Sequence, residues 1–425
     1  MRLGEKMKKR LINTSIVIAC IFLTYGIAQI NTNGVLGKGE VSPLMQTEPT
    51  YETLEKLNLS DPYFKENKIL EGYTIPSNLY IHCRYTDSSI LVTTSDSHYI
   101  KNQFSLPEGI YEYNFKTEEM KLVADKMSKK NHIKAVAYDN GYLVWEEDPD
   151  ELISEVNSGK KWKTYLKDMA TGEVIKVDEY NRKNSSYASG GYKYRPDKID
   201  IDGENIVYKI DEVNDKKETI HIVKIYNIKT KELKEIKKSQ SIDKDIFSEP
   251  DVDGDKVVFC RHSRAYIDSE VFIYDIKSQE LDIVEAKGNE KAFSDVKING
   301  NTVAISKAEY SVYNNINDSF TSMVSLYDIN TKTFESVRDP VETKYDSISG
   351  TGIKFLSDGY LAFYGGTGDN SKVYDVKAKK YIDLLRDEEK KEYLTKGVGK
   401  SFDNLMVVYM WKSEYHRNRI YVLEK

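Results

Sequence analysis

Short apolar runs alternate with turn signals along most of this chain. Runs rich in Val, Ile, Leu, Tyr and Phe follow Asn-Gly or Asp-Gly: YLVW after Asn140-Gly141, ENIVY after Asp202-Gly203 and DKVVF after Asp253-Gly254. The series continues with NTVAI after Asn299-Gly300, YLAFY after Asp358-Gly359 and, in degenerate form, LMVVY after Asp403-Asn404. Asn-Gly and Asp-Gly supply the positive φ angles of a two-residue hairpin turn, so each predicts two antiparallel strands. A second unit follows: an apolar strand, often with a Tyr, and then a D/N-x-x-S/T turn. Its markers are Asn114–Thr117, Asp168–Thr171, Asn227–Thr230, Asp275–Ser278 and Asp328–Thr331, with Asp375–Ala378 as a departure. An Asx or Ser/Thr turn of this kind closes another hairpin.

Each repeat therefore supplies four strands, A to D. The second-unit markers at 114, 168, 227, 275, 328 and 375 are 54, 59, 48, 53 and 47 residues apart. Four-stranded units at such a spacing are blades of a β-propeller, which leaves only short, protected sheet edges. Helical repeats are excluded because the apolar runs are short, Val/Ile/Tyr-rich and flanked by turns. The fold class expected is all-β: a seven-bladed propeller of four-stranded antiparallel blades, with units starting near Leu79, Ala135, Ile199, Asp251, Val296, Gly352 and Gly399. The last unit ends after its third strand, RIYVL, so Ile69–Ile75 is the expected donor of the missing outer strand. The propeller then spans 69–425, closed by an N-terminal strand.

The repeats resemble those of the bacterial TolB-type propellers, related to the propeller domains of prolyl oligopeptidase-like proteins. The likeness rests on the pattern D-G-x-x-V/I-x-F/Y followed by I-Y-x-Y/D-D, and covers about residues 69–425. It departs from that family in two ways. The Trp-Ser-Pro before Asp-Gly is absent, being Ile-Asp-Ile or Pro-Asp-Val here, and seven blades are counted where TolB has six. The resemblance implies the fold; propellers host many unrelated functions.

The amino terminus changes the picture of where this domain works. Arg2, Lys6, Lys8, Lys9 and Arg10 precede a mostly apolar run from Leu11 to Ile30, expected as one N-terminal transmembrane or signal helix over 1–30. The run suits a retained anchor, a signal cleaved after Gly26-Ile27-Ala28, or a lipoprotein signal at Val17-Ile18-Ala19-Cys20. Its charge bias places the remainder extracytoplasmic in every case: cell membrane, single-pass, or secreted. Residues 31–68, with Pro43, Pro49 and Pro62, read as a stalk. Beyond the leader only Cys83 and Cys260 remain, expected as buried packing residues on blades one and four rather than a disulfide framework.

Composition excludes several classes. The chain has 425 residues with 62 Lys+Arg against 68 Asp+Glu, a formal charge of −6, so no nucleic-acid partner is expected. At 40% hydrophobic and 31% charged it is neither disordered nor polytopic.

In a blade the A–B and C–D turns share one face, and the B–C and D–A loops share the other. The first set is short; the second includes 95–109, 147–161, 179–198, 307–322 and 339–352. Long loops in a compact domain carry function more often than not. The candidate ligand-binding residues on that loop face are Tyr187, Tyr192, Tyr194, Arg195, Arg261, His262, Arg264, Tyr310, Tyr313, Tyr415 and His416. Tyr and Arg combine contact area with directional hydrogen bonds. The expected partner is a protein or cell-envelope glycan, besides the membrane bound by the N-terminal helix.

Catalytic motifs are scarce. His98, His132, His262 and His416 fall in loops assigned to the same face, but no His-x-His or His-x-x-x-His pair occurs. Oligouronide lyases with the TolB-like repeat hold manganese on His from several blades, so the resemblance carries an alternative reading: a metal-dependent carbohydrate-active enzyme with its site in the propeller mouth. DVDGDK (251–256) and DIDGEN (200–205) look like calcium loops, but the twelfth position counted from Asp251 is His262 and the flanking segments read as strands rather than helices, so both read as hairpin turns. GVGKS (397–401) has Leu394 where a phosphate-binding loop needs Gly, and no G-x-S-x-G elbow exists. The acidic cluster Glu146-Glu147-Asp148 reads as a solvated loop, as does Asp387-Glu388-Glu389. No catalytic residue, metal or cofactor is expected, and the leading expectation is a non-catalytic binding module.

Overall fold

The computed structural model describes residues 69–76, 79–94, 109–129, 131–149, 161–180, 199–213, 219–239, 246–262, 269–285, 291–310, 320–337, 352–357, 359–364, 371–382, 395–402, 405–412 and 415–423. All lie within the compact unit Leu59–Lys425. The expected helix at 1–30 and the stalk fall outside these residues. Among the described residues no helix is long and apolar enough to cross a membrane.

Seven antiparallel sheets follow one another in sequence order. A first strand, β1 (Ile69–Ile75), precedes blade one, which is β2 (Leu79–Thr86), β3 (Ser89–Thr94), β4 (Gly109–Asn114) and β5 (Met120–Asp125). Blade two is β6 (Asn131–Asp139), β7 (Tyr142–Pro149), β8 (Trp162–Asp168) and β9 (Val174–Tyr180). Blade three is β10 (Ile199–Asp202), β11 (Asn205–Val213), β12 (Thr219–Asn227) and β13 (Glu232–Lys238). In blade four the inner strand is split into β14 (Ile246–Phe247) and β15 (Asp251–Asp253), both paired to β16 (Lys256–His262), with β17 (Ser269–Asp275) and β18 (Leu281–Glu285) outside. Blade five is β19 (Lys291–Asn299), β20 (Thr302–Tyr310), β21 (Phe320–Asp328) and β22 (Thr333–Val337). Blade six is β23 (Gly352–Ser357), β24 (Tyr360–Tyr364), β25 (Ser371–Asp375) and β26 (Lys380–Tyr381). Blade seven is β27 (Thr395–Phe402), β28 (Leu405–Lys412) and β29 (Tyr415–Leu423), and its fourth strand is β1.

The ring closes as the truncated last repeat requires. β1 pairs antiparallel with β29, with Gly72 opposite Tyr421 and Tyr73 opposite Ile420. Ile75 is buried in a cluster holding blade one residues Leu79, Ile90 and Val92 together with blade seven residues Leu405, Val407 and Ile420. Each seam carries an apolar cluster of this kind, built from alternate residues of facing sheets.

The two turn families have distinct geometry. Asn140 and Gly141 form the blade-two turn, with φ of 45° and 83°. In blades three to five the Asp or Asn is instead the last strand residue, because Asp202 pairs with Asn205, Asp253 with Lys256 and Asn299 with Thr302. The turn itself is Gly-x, with φ near 55° at Gly203, Gly254 and Gly300. In the second family the side-chain oxygen of the first residue accepts from backbone N–H groups two or three residues on. Examples are Asn114 from Thr117 at 3.1 Å, Asp168 from Ala170 at 2.8 Å and Asp328 from Thr331 at 2.8 Å. Asp375 accepts from the Ala378 N–H at 2.8 Å in the same way. The departure at Ala378 is therefore harmless: the bond uses the backbone of that position.

Freed from the turn, the Asp side chains cross between blades. Asp139 accepts from the Gly203 N–H of the next blade at 2.7 Å, Asp202 from Gly254 and Asp253 from Gly300. One step up the strand, Asp200 accepts from the Val252 N–H at 3.0 Å and Asp251 from the Ile298 N–H at 2.9 Å. These N–H groups lie on innermost strands or their turns, whose channel-side edges have no strand to pair with. The D-x-D-G segments that resemble calcium loops are thus hairpin ends whose carboxylates satisfy the neighbouring blade's backbone.

The cysteines sit on blades one and four without a disulfide; Cys83 is half-buried rather than buried. Burial pushes the Cys260 thiol up to about 12, which leaves it unreactive as a thiolate.

Candidate binding face

The strand order places the connections 95–108, 150–161, 214–218, 263–268 and 311–319 (B–C) and 181–198, 338–351 and 382–394 (D–A) on one face. The opposite face carries only the short A–B and C–D turns. The loop-length asymmetry read from the sequence is present, although several loops begin later than the apolar runs suggest.

That delay moves sequence-predicted site residues from loops onto strands. Arg261 and His262 end β16, opposite Glu270 and Ser269. Tyr310 ends β20, opposite Phe320. Tyr415 and His416 open β29, opposite Lys412 and Trp411, so the expected blade-seven loop contracts to residues 413–414. His132 likewise lies on β6, opposite Asp148. The remaining candidates, Tyr187, Tyr192, Tyr194, Arg195, Arg264 and Tyr313, lie outside the described residues, as do His98 and the 387–389 acidic cluster.

Arg261 is buried, and its Nε donates to Glu270 at 2.8 Å. Its guanidinium is committed to the blade rather than held out on a loop.

The acidic cluster in blade two is a clear correction. Glu146 and Glu147 are almost wholly buried, on β7, not solvated in a loop. Glu147 accepts from the Met127 N–H at 2.6 Å, the Asn131 amide at 2.9 Å and the Trp145 indole at 3.0 Å. A carboxylate can be buried when donors replace its water. Here those donors tie down the connection between blades one and two. Glu146, on the other side of the strand, accepts from the Tyr180 hydroxyl.

Between blades two and three, Asp178 accepts from the Lys224 ammonium at 2.8 Å and from the Tyr208 hydroxyl at 2.9 Å. Lys224 also lies 5.9 Å from the Tyr180 ring centroid. Burial, with the Asp178 charge and hydrogen bond, pushes the Tyr208 phenol well above its usual value, so it stays a donor at any working pH.

Between blades three and four both sheets end in a charged pair. Down the blade-three surface the opposed pairs run Val207/Ile225, Lys209/Val223 and Asp211/His221. Down the facing surface of blade four they run Val257/Tyr274, Phe259/Phe272 and Arg261/Glu270. Asp211 Oδ1 lies 2.6 Å from His221 Nδ1, and Lys209 Nζ lies 2.8 Å from Glu249. Ser239, beside His221 on the next strand, completes a row of Asp, His and Ser. It is not a nucleophile relay, because the Ser239 hydroxyl accepts from the backbone N–H of His221 at 2.8 Å and both residues are buried.

Sequence reasoning missed Asp178, Lys224, Asp211 and His221. They are polar residues inside otherwise apolar strands, and the available signal was the two-residue alternation continued past the apolar run. Among the described residues no three His, Cys, Asp or Glu side chains gather as metal ligands would. His82 contacts Thr93 Oγ1 at 2.8 Å, and His221 contacts Asp211.

No family model matches the chain, and no curated protein sequence matches it. Solved structures do. The β-propeller domain of the Trilobed protease from Pyrococcus furiosus is 12% identical, with 82% of this chain and 95% of that one covered and a TM-score of 0.51. An oligogalacturonate lyase in complex with manganese is 12% identical over 83% of this chain and 91% of its own, with a TM-score of 0.49. Oligopeptidase B from Trypanosoma brucei is 12% identical over 81% of this chain and 46% of its own, at 0.48. At such identity the likeness is one of fold. It supports a propeller distantly related to several others, and takes the TolB resemblance no further than that. The protease domain is described as having an open velcro topology, whereas here β1 completes the last blade.

Proposed function

We propose that this protein is an extracytoplasmic binding module, exported or anchored through residues 1–30, whose loop face engages a protein or cell-envelope glycan without catalysis. The observation that carries the reading is the one-sided distribution of connections: every long loop opens on one face of a ring whose other face is nearly all tight turns. A rigid scaffold with long loops at one end is the usual arrangement for recognition. The Tyr and Arg residues of 181–198 and 311–319 supply the contact chemistry. Arg261 supports this face from below by fixing the end of β16.

The test uses the full-length protein on arrays of envelope glycans and isolated cell-wall sacculi. Replacing Tyr192, Tyr194 and Tyr313 together with Ala is expected to abolish retention while leaving the melting temperature within about a degree of the parent, as surface changes do. Charge reversal at Lys116 and Lys277, on the short-turn face, is expected to leave retention intact. Retention unaffected by the Tyr replacements, or lost with the turn-face changes, overturns the assignment of the face. Release of unsaturated uronides from the arrayed glycans would replace the binding reading with a lyase.

A further inference from the structure

The loop-face end of the seam between blades one and two combines exposed apolar side chains with lysines that have no acidic partner. Tyr80, at the loop-face end of β2, is 60% exposed, and Met127, in the short link from β5 to β6, is 52% exposed. Tyr80 lies opposite Thr93, two residues from Leu91 on β3, and Leu91 belongs to the apolar cluster of this seam. By strand alternation Tyr80 therefore stands on the surface of blade one that meets blade two. From blade two, Lys163 lies opposite Glu147 and two residues from Tyr165 of the same cluster, on the facing surface.

The link is held at both ends. Buried Glu147 accepts from the Met127 N–H at 2.6 Å and from the Asn131 amide at 2.9 Å, and Lys126 Nζ donates to the Asn131 carbonyl at 2.9 Å. A fixed backbone beneath an exposed side chain keeps that apolar surface in place before anything binds, which lowers the ordering cost of association. Charge gives the surface its sign. Residues 126–138 carry Lys126, Lys129, Lys130 and Lys134 with no Asp or Glu, in a chain of net charge −6. The nearby carboxylates are already engaged. Glu147 has its neutral donors, Glu179 has Lys161 at 3.0 Å and Lys176 at 2.6 Å, and Asp125 accepts from the Lys126 backbone N–H at 2.8 Å. Exposed Lys129 and half-buried Lys163 make no ion pair among the described residues.

We propose that this part of the loop face docks an acidic peptide segment of a protein partner: Tyr80 and Met127 receive an apolar side chain, and Lys129 and Lys163 receive carboxylates beside it. Tyr and Met are enriched where protein surfaces meet, and an apolar centre rimmed by polar groups is the common anatomy of such contacts. A flexible thioether beside an aromatic ring moulds to an aliphatic or aromatic side chain, whereas the hydroxylated edge of a sugar gains little from it. That favours a peptide over a glycan here. The lysine rim repels basic segments and speeds the approach of acidic ones. The inference rests on the reading of the loop face as the binding face, and adds to it a partner class and an anchor made of described residues.

Selection of random phage-displayed peptides on the full-length protein tests it, with affinity read by fluorescence anisotropy and folding by the melting temperature. The parent should enrich acidic sequences that contain an apolar residue and that bind less tightly as salt rises. Lys129→Glu combined with Lys163→Glu should weaken those peptides about tenfold or more and enrich basic sequences instead, at an unchanged melting temperature. Tyr80→Ala should weaken them without altering their charge preference. Neutral or basic sequences enriched by the parent, the same acidic sequences enriched by the lysine variant, or no enrichment at all overturns the proposal. Retention of carboxylated glycans with no peptide enriched overturns it too, and makes the occupant an anionic glycan. If the double variant does not fold, Lys129→Glu alone, at an exposed position, decides the matter. Failure here with sacculus retention intact leaves the loop-face reading standing; peptides lost on charge reversal at Lys116 and Lys277 instead would bring both down.

Discussion

The two ends of the strands hold the ring together by different chemistry. At the short-turn end, neighbouring blades are joined by one motif used again and again, an inner-strand carboxylate accepting from a backbone N–H of the next blade: Asp139 to Gly203, Asp200 to Val252, Asp251 to Ile298. At the loop end three successive seams have three different solutions. Blades one and two use Glu147 with three neutral donors, blades two and three use Asp178 with Lys224 and Tyr208, and blades three and four use paired ions. The backbone is the same in every repeat, so bonds to backbone can be copied with the repeat. Bonds between side chains need two positions to match, and these have diverged seam by seam.

One seam lies outside this comparison because no connecting segment from blade seven leads into blade one except through β1. Removing residues 69–75 should give the largest effect of any change. It strips the outer strand from β29, takes Ile75 out of the seam cluster and uncovers Leu405 and Ile420. We expect loss of the cooperative thermal transition and gain of binding to a hydrophobic dye. A variant that melts like the parent would show that seven blades stay closed without the strand.

A pair of single substitutions sharpens the contrast between the two ends. Asp178→Ala leaves a buried ammonium and a buried phenol without their shared acceptor, and should cost about 3–5 kcal/mol in denaturant unfolding. Asp202→Ala at the turn end frees only the exposed Gly254 N–H, which water can reach, and should cost about 1 kcal/mol. If the two cost the same, the difference drawn between ends is one of appearance only. Tyr208→Phe, which removes one donor but no charge, should fall between them.

The same contrast explains what could be read in the sequence. Asp-Gly and D/N-x-x-S/T are short-range signals, since the glycine φ and the Asx side chain shape the turn within its own hairpin, and they carry blade count and order. Loop-end residues act across seams, on partners such as Asp178 and Lys224, 46 residues apart. Nothing local distinguishes a buried Glu147 from a solvated one. An apolar run therefore looks finished where the sheet merely turns from hydrocarbon to ion pairs, which is why Glu146, Glu147, Arg261 and His416 were placed in loops. The site residues of 181–198 and 311–319 rest on loop length alone, a signal that marks a face without assigning roles.

The smallest expected effect is at the turn end and depends on acid. Asp275 is held down to about 2, first by the Lys256 ammonium of the adjacent strand and then by the Ser278 N–H of its own turn. A carboxyl held below its unfolded-chain value of about 3.9 stabilises the fold at pH above that value and loses the contribution as pH falls through the folded one. The penalty of Asp275→Asn should therefore be constant from neutrality down to about pH 4 and shrink between about pH 4 and 2. Both side chains are about a third exposed, so screening keeps the penalty within about 1 kcal/mol, and added salt should lower it further. The Asn amide oxygen can still accept from Ser278, so the salt-sensitive part of the difference reports the Lys256 contact alone. A penalty indifferent to both salt and acid would assign the role of Asp275 to its turn, and would make the second hairpin, like the first, a device of backbone bonds only.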